Sequence, residues 1–372
     1  MDNAATTRPY DEVVETFLNV NESYYFNTAS IHQSGRKAAQ LLEASREQVL
    51  DLLGVPDYAC IFTSGATESN NLVIQSVLRR KQTYGRTVLV SELEHPSVTN
   101  VLEAMKSDGF EIKYIRTLED GTVDTEHLRE VLSEDVIFVT VMAVNNITGG
   151  IQPIVEIAEM LKQYPKAHFH TDATQAIGKI NIDYRDIDSL SLSSHKFHGM
   201  KGSGALIVKE PRTLSAIIHG GGHERNLRSG TVNLPGATAM ARALRLAIEQ
   251  QKESVNRILN YNRKVRSALE GLHGIHIQPS GVPHILNVSF RGAKGEVVVN
   301  ALGNHNIMVS TTSACASKLK KLNETLLAMG NKRAVIEGSI RISFSSLTQE
   351  EEVDTLITAL EAVHEEIGEV LK

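Results

Sequence analysis

Between residues 58 and 208 this chain alternates short runs of β-branched and aromatic residues with stretches of helical periodicity, and that alternation leaves few folds open. YACIFT (58–63), RTVLVS (86–91), IKYIRT (112–117), VIFVTVMAV (136–144), AHFHTD (167–172), SLSLSS (189–194) and GALIV (204–208) read as strands. The segments 70–80, 98–107, 125–131 and 154–163 between them have the spacing of helices. Strand–helix alternation of this kind predicts an α/β fold with a mostly parallel sheet and helices on both faces. In such sheets ligands collect beyond the carboxyl ends of the strands. Just past those ends stand His95, Asn146, Asp172 and Lys196, which places all four at one expected cleft.

The remaining sequence adds a second unit. One long helix is expected over 237–269, leaving the large sheet for a smaller α+β region. There HILNVSFRG (284–292) and SIRISFS (339–345) read as strands, and 350–371 as a closing amphipathic helix. A chain of 372 residues has room for two domains. The expected division is a large domain over 14–250 and a small one built from 1–13 and 251–372.

Net charge is −6, which gives no electrostatic footprint for direct nucleic-acid binding. Two cysteines, Cys60 and Cys315, are too few for a disulfide framework and suit a reducing compartment. No basic-then-apolar leader pattern opens the chain, and its longest apolar run is far too short for a bilayer. A cytoplasmic location without a membrane partner is the expectation.

Lys196 follows an apolar strand and precedes a glycine-rich turn, an unusual setting for a solvated lysine. A lysine amine forms Schiff bases with aldehydes, and an aspartate such as Asp172 can keep a pyridine nitrogen protonated. These are the two protein groups that pyridoxal phosphate (PLP) most needs. In FTSGATESNN a strand ends at Thr63 and a helix opens near Thr67, a place suited to phosphate or to an ordinary cap. GGGHERNLRSGTVN, with Arg225, Arg228 and Thr231, is a second anion candidate. Cys315 lies among small residues ahead of Lys318, Lys320 and Lys321, which favour a thiolate; Cys60, inside ACIFT, reads as a buried structural thiol. Arg341 on an apolar strand needs either a protein carboxylate or a substrate carboxylate. A competing reading makes His168, His170 and Asp172, which share one strand face, a metal site. That reading leaves the lysine, the glycine-rich loops and Cys315 without a role, so no metal is expected.

With these segments in view the chain resembles the cysteine desulfurases of the nitrogen-fixation and iron–sulfur-cluster type, fold-type I PLP enzymes of the class V aminotransferase family. DNAATTRP, SIHQSGR, FTSGATESNNL, EHPSV, HTDATQAIGK, SSHKFHGMKGSGAL, GGGHERNLRSGTVN, TSACAS and SIRIS carry the resemblance in the family's order along nearly the whole chain. It implies that Lys196 holds PLP, Asp172 pairs with the pyridine nitrogen and His95 stacks on the ring. Gln175 and Asn146 would face the phenolic oxygen, while Ala66, Thr67, Ser193 and His195 bind the phosphate, joined by Thr231 from a second subunit. Arg341, with Asn146 beside it, would clamp the carboxylate of L-cysteine. Cys315 would take the sulfur as a persulfide for a protein acceptor in iron–sulfur cluster assembly or thiolation of tRNA or a cofactor. A homodimer releasing L-alanine is implied. The chain departs from the family at Ile147 and Thr148, removing a charge near the cleft, and at Thr312, where a glycine is usual. Two alternatives share the scaffold: a selenocysteine lyase, and a weakly active paralogue that chiefly binds partners.

Overall fold

The computed structural model describes residues 1–312 and 322–370, with side chains up to 368. Seven strands form the main sheet: β1 (Ala59–Thr63), β2 (Thr87–Ser91), β3 (Glu111–Ile115), β4 (Val136–Thr140), β5 (His168–Asp172), β6 (Ser189–Ser193) and β7 (Gly204–Val208). Their order is β1-β7-β6-β5-β4-β2-β3. Pairing is parallel from β3 through β6, and β7 runs antiparallel to both β6 and β1. The expected mostly parallel sheet is present.

Every residue of β1, β2, β4, β5, β6 and β7 is buried, with one face of β5 and β6 polar and internally hydrogen-bonded through His168, His170 and Ser189. Ala59 and Ile61 join one apolar cluster with Leu72 and Val98; Cys60 and Phe62 join another with Val13, Leu42 and Leu244. This alternation is the period-two geometry of a strand covered on both sides. Two helices that the strand–helix pattern did not reveal, α1 (Asp11–Ser23) and α2 (Gln33–Leu52), precede the sheet. Between and after the strands come α3 (Ala66–Lys81), α4 (Pro96–Met105), α5 (Thr125–Val131), α6 (Ile154–Leu161) and α7 (Leu234–Glu249).

The helix expected to run unbroken over 237–269 is two helices. α7 stops at Glu249 and α8 (Gln251–Glu270) starts after Gln250, whose φ of −90° and ψ of −4° interrupt the regular turn. The chain changes cores at that point: α7 serves the large sheet, whereas Ile258, Val265 and Leu269 of α8 join a third cluster. That cluster lies on an antiparallel sheet of β8 (Ile275–Ile277), β9 (Ile285–Phe290), β10 (Ser310–Thr311) and β11 (Ser339–Ser343), in the order β10-β11-β9-β8. Alongside are α9 (Gly295–Asn304), two short helices, α10 (Glu324–Ala328) and α11 (Arg333–Glu337), and the closing α12 (Glu350–Val370). The first residues of the chain return to this sheet, with Asp2 bridged to Ser343. The N-terminal segment thereby crosses the mouth of the large sheet.

Candidate active site

The carboxyl ends of the strands open into a cavity of about 340 Å³, and Ala66, Thr67, His95, Asn146, Asp172, Gln175, Ser193, His195, Lys196 and Arg341 all line it. Lys196 sits in the tight turn after β6, where Nζ donates to the carbonyls of Ala4 at 2.7 Å and Ala5 at 2.8 Å. Burial and the nearby Arg341 guanidinium pull this amine down to about 8. The N-terminal segment is stapled to the lysine turn by Thr7, whose N–H donates to the His195 carbonyl at 2.9 Å and whose Oγ1 accepts from the His198 N–H at 2.8 Å. Burial, with Lys196 and Lys201 nearby, lowers His195 to about 4, so its ring is neutral.

Asp172 ends β5 and is buried. Its Oδ1 accepts from the Thr174 N–H at 3.0 Å and its Oδ2 from Asn70 Nδ2 at 2.8 Å. His95 caps α4, with Nδ1 accepting from the Ser97 N–H at 3.1 Å. Burial lowers its affinity for a second proton, against the opposing pull of Asp172. Next to it Glu94 is buried, and desolvation with the Asp172 charge nearby pushes its carboxyl up to about 8.

At the opposite end, Gly65 precedes α3 with φ of +152° and contributes no side-chain cap. The Ala66 N–H donates to Ser193 Oγ at 2.8 Å. Gly204 permits this approach, since a Cβ there would lie 2.5 Å from Gly65 Cα. Arg228, one of the anion candidates, is held by Glu68 at 2.6 Å. Glu68 also accepts from the Ser64 N–H at 2.8 Å, so this arginine already has its carboxylate.

Arg341 is buried on β11. Its Nη1 donates to the Asn146 carbonyl at 2.9 Å, and its Nη2 to Asp2 Oδ1 at 3.0 Å and Ser310 Oγ at 3.1 Å. Its Nε–H is buried with no acceptor among the described residues. Gln175 is fixed from both ends: its Nε2 donates to the Ala4 carbonyl at 2.9 Å, and its Oε1 accepts from Lys179 Nζ at 2.8 Å. Lys179 is pushed down to about 7 by burial and by the charges of Lys196 and Arg341.

Thr231 is exposed and does not line this cavity, and Cys315 lies outside the described residues. Cys60 is buried, and desolvation pushes its thiol up to about 12. Ile147 packs with Leu326, Met329 and Ile336, so this departure from the family pattern serves a small apolar cluster. Thr312 is buried, its carbonyl accepting from Asn323 Nδ2 at 2.8 Å. His168 and His170 both bond to the hydroxyl of Ser189, and the described residues contain no group of three or more His, Cys, Asp or Glu arranged for a metal. Asp2, the Ala4–Ala5 carbonyls, Asn70, Glu94 and Lys179 were not singled out from the sequence. Only the small, polar DNAATT segment hinted that the N-terminus takes part.

The donor set fits PLP. A lowered amine, a carboxylate at the sheet end and an uncapped helix start beside a serine hydroxyl suit its aldehyde, ring nitrogen and phosphate. Thr174 and Arg341, both lining the cavity, each keep one buried polar atom without a partner among the described residues.

The family described as Aminotransferase class-V matches residues 1–356. A NifS/IcsS protein homolog of Lactobacillus delbrueckii subsp. bulgaricus is 40% identical over 99% of this chain and 98% of its own. Cysteine desulfurase IscS of Dictyoglomus turgidum is 34% identical, over 99% and 94%. Among solved structures, a NifS-like protein superposes with a TM-score of 0.91 at 36% identity, covering 99% of this chain and 98% of the other. A NifS-like protein from Rickettsia africae does so with a TM-score of 0.88 at 28% identity, covering 98% of each. Agreement in sequence along almost the full length, and in the path of the chain, leads to one conclusion: the chain belongs to the class-V aminotransferase family, in its NifS/IscS branch.

Proposed function

We propose that this protein is an L-cysteine desulfurase, dependent on PLP, that moves the sulfur of L-cysteine onto Cys315 and releases L-alanine. One observation carries the reading: a lysine amine lowered to about 8, a strand-end aspartate and a buried arginine line one cavity. Bound PLP supplies an electron-accepting ring that labilises the bonds around the substrate Cα. Lys196 would carry the cofactor, and its lowered proton affinity suits it to take the Cα proton near neutral pH. Asp172 would hold the ring nitrogen protonated, and His95 would cover the ring. Ala66, Thr67, Ser193 and His195 would hold the phosphate, and Gln175 and Asn146, on the same cavity wall, would take the phenolic oxygen. Arg341, which lines the cavity, would take the substrate carboxylate, and Asp2 at 3.0 Å neutralises its guanidinium meanwhile. The Cys315 thiolate attacks the substrate sulfur; the S–S bond forms as the Cβ–S bond breaks, its electron pair staying on carbon. L-Cysteine and one thiol thus give L-alanine and one persulfide.

The reading includes a homodimer in which Thr231, exposed on its own chain, reaches the phosphate of a second copy. It includes a protein acceptor for the persulfide and a cytoplasmic location. It also keeps the division into 14–250 and 1–13 with 251–372. No helix among the described residues is long and apolar enough to cross a membrane.

The test uses two variants. In Lys196→Ala, borohydride should fix no cofactor to the chain. Cys315→Ser should remain yellow while transfer of sulfur from cysteine to protein disappears. Undiminished transfer by Cys315→Ser would remove the nucleophile from this scheme.

A further inference from the structure

We propose that Asn70 is a positioning residue that holds the two ring-facing side chains, Asp172 and His95, each in one hydrogen-bonding state, at the end of a one-way chain of donors running from His168 through Ser189 and His170. The inference rests on the cofactor reading above and deepens it. Asn70 is fully buried on α3. Its Nδ2 donates both protons, to Asp172 Oδ2 at 2.8 Å and to Ser97 Oγ at 2.9 Å. Its Oδ1 lies 3.0 Å from His170 Nε2.

The direction of each bond follows from the charge on Asp172. An ionised carboxylate accepts only, so the Asn70 amide cannot be turned to present its oxygen there. Oδ1 therefore faces His170, and Nε2 of that ring must carry a proton. Burial keeps His170 neutral, so its Nδ1 holds a lone pair and accepts from Ser189 Oγ at 2.9 Å. A hydroxyl has one proton. Ser189, having given it to His170, accepts from His168 Nε2 at 2.8 Å. Burial lowers His168 to about 3, so it is neutral as well. Ser191 Oγ, at 3.4 Å from His170 Nε2, is a weaker second neighbour. Every bond in the series points its positive end toward Asp172, and aligned bonds reinforce one another in a dry interior.

The second proton of the amide goes to Ser97, whose hydroxyl and backbone N–H both meet His95 Nδ1. Ser97 Oγ, receiving from Asn70, gives its own proton to His95 Nδ1 at 2.8 Å. The neutral His95 ring then carries its proton on Nε2. One amide thereby touches both Asp172 and the serine hydroxyl that, with the same residue's backbone N–H, donates to His95 Nδ1. The alternating histidines of β5, metal-like in sequence, are committed to this chain instead. The other charged or titratable groups facing Asp172 are Glu94, His95 and Lys196.

The test is made on the holoprotein loaded with PLP labelled with ¹⁵N at the ring. Asn70→Ala and His170→Phe should lower the pH at which the ring nitrogen loses its proton by about one unit or more, with cofactor affinity altered less than about threefold. His170→Gln, which keeps an N–H donor, should restore most of the shift. A ring nitrogen that titrates alike in wild type, Asn70→Ala and His170→Phe overturns the proposal. Should the variants misfold, ¹⁵N-histidine spectra of the wild-type holoprotein decide it. His95, His168 and His170 should each be neutral with the proton on Nε2, and a proton on Nδ1 of any of them overturns the proposal. Wild-type protein with no borohydride-fixable PLP at Lys196 would instead overturn the cofactor reading itself.

Discussion

At the scale of single residues, burial sets the chemistry of this site more than pairing does. Loss of solvent is the largest influence on Lys196, His195, Lys179 and Glu94 alike, and in each it disfavours the charged form. Glu94 makes this measurable. Its folded carboxyl titrates near 8 against an ordinary value of 4.5. A raised folded value means the stability is fully present below pH about 4.5 and is lost progressively as pH climbs to about 8, because the unfolded chain ionises first. Glu94→Gln removes that dependence. In cofactor-free protein, urea unfolding should show Glu94→Gln close to wild type at pH ~5 and more stable by on the order of 4 kcal/mol at pH ~8, with little further gain above. An equal offset at all pH values would contradict a protonated Glu94.

Elements bring these residues into range through close backbone contact. Gly204 on β7 lies opposite Thr63 on β1 and Ser193 on β6, the two strands that frame the start of α3. Adding a methyl there must displace Gly65 or the Leu192 carbonyl, both of which a Cβ would approach to 2.5 Å. Gly204→Ala is therefore expected to weaken binding of PLP by apoprotein about tenfold or more, a loss of at least ~1.4 kcal/mol, read by fluorescence titration. Unchanged affinity would show that the start of α3 does not hold the phosphate. At this scale much was legible in advance. The strand runs are legible because β-branched and aromatic residues recur in short stretches bounded by turn residues, and the motif residues at their carboxyl ends do line one cavity. α1 and α2 escaped because their polar surfaces dilute the periodic signal: α2 buries Ala38, Leu42, Val49 and Leu50 among glutamines, arginines and glutamates. The break at Gln250 was invisible for the opposite reason, since apolar spacing continues through a point where only the partner core changes.

Across the whole molecule, the site is a junction between segments far apart in sequence. Asp2 meets Arg341, and the carbonyls of Ala4 and Ala5 meet Lys196, so chain start, large sheet and second sheet all close on one cavity. A ligand bound there should stabilise all three together. Saturating cofactor-free protein with PLP at about a hundred times its dissociation constant should raise unfolding free energy by ~2.7 kcal/mol in a single transition. Two transitions, with only one responding to PLP, would show that the second sheet does not share in holding the site. The sequence alone was enough for the layered α/β plan, the candidate lysine, aspartate and arginine, and the expected cofactor, because strand periodicity and side-chain chemistry are local properties. Tertiary structure alone decided which carboxylate neutralises Arg341, which amide orients Asp172, and how far burial moves each proton. Those depend on distances between residues hundreds of positions apart, and on how much water the packed chain excludes.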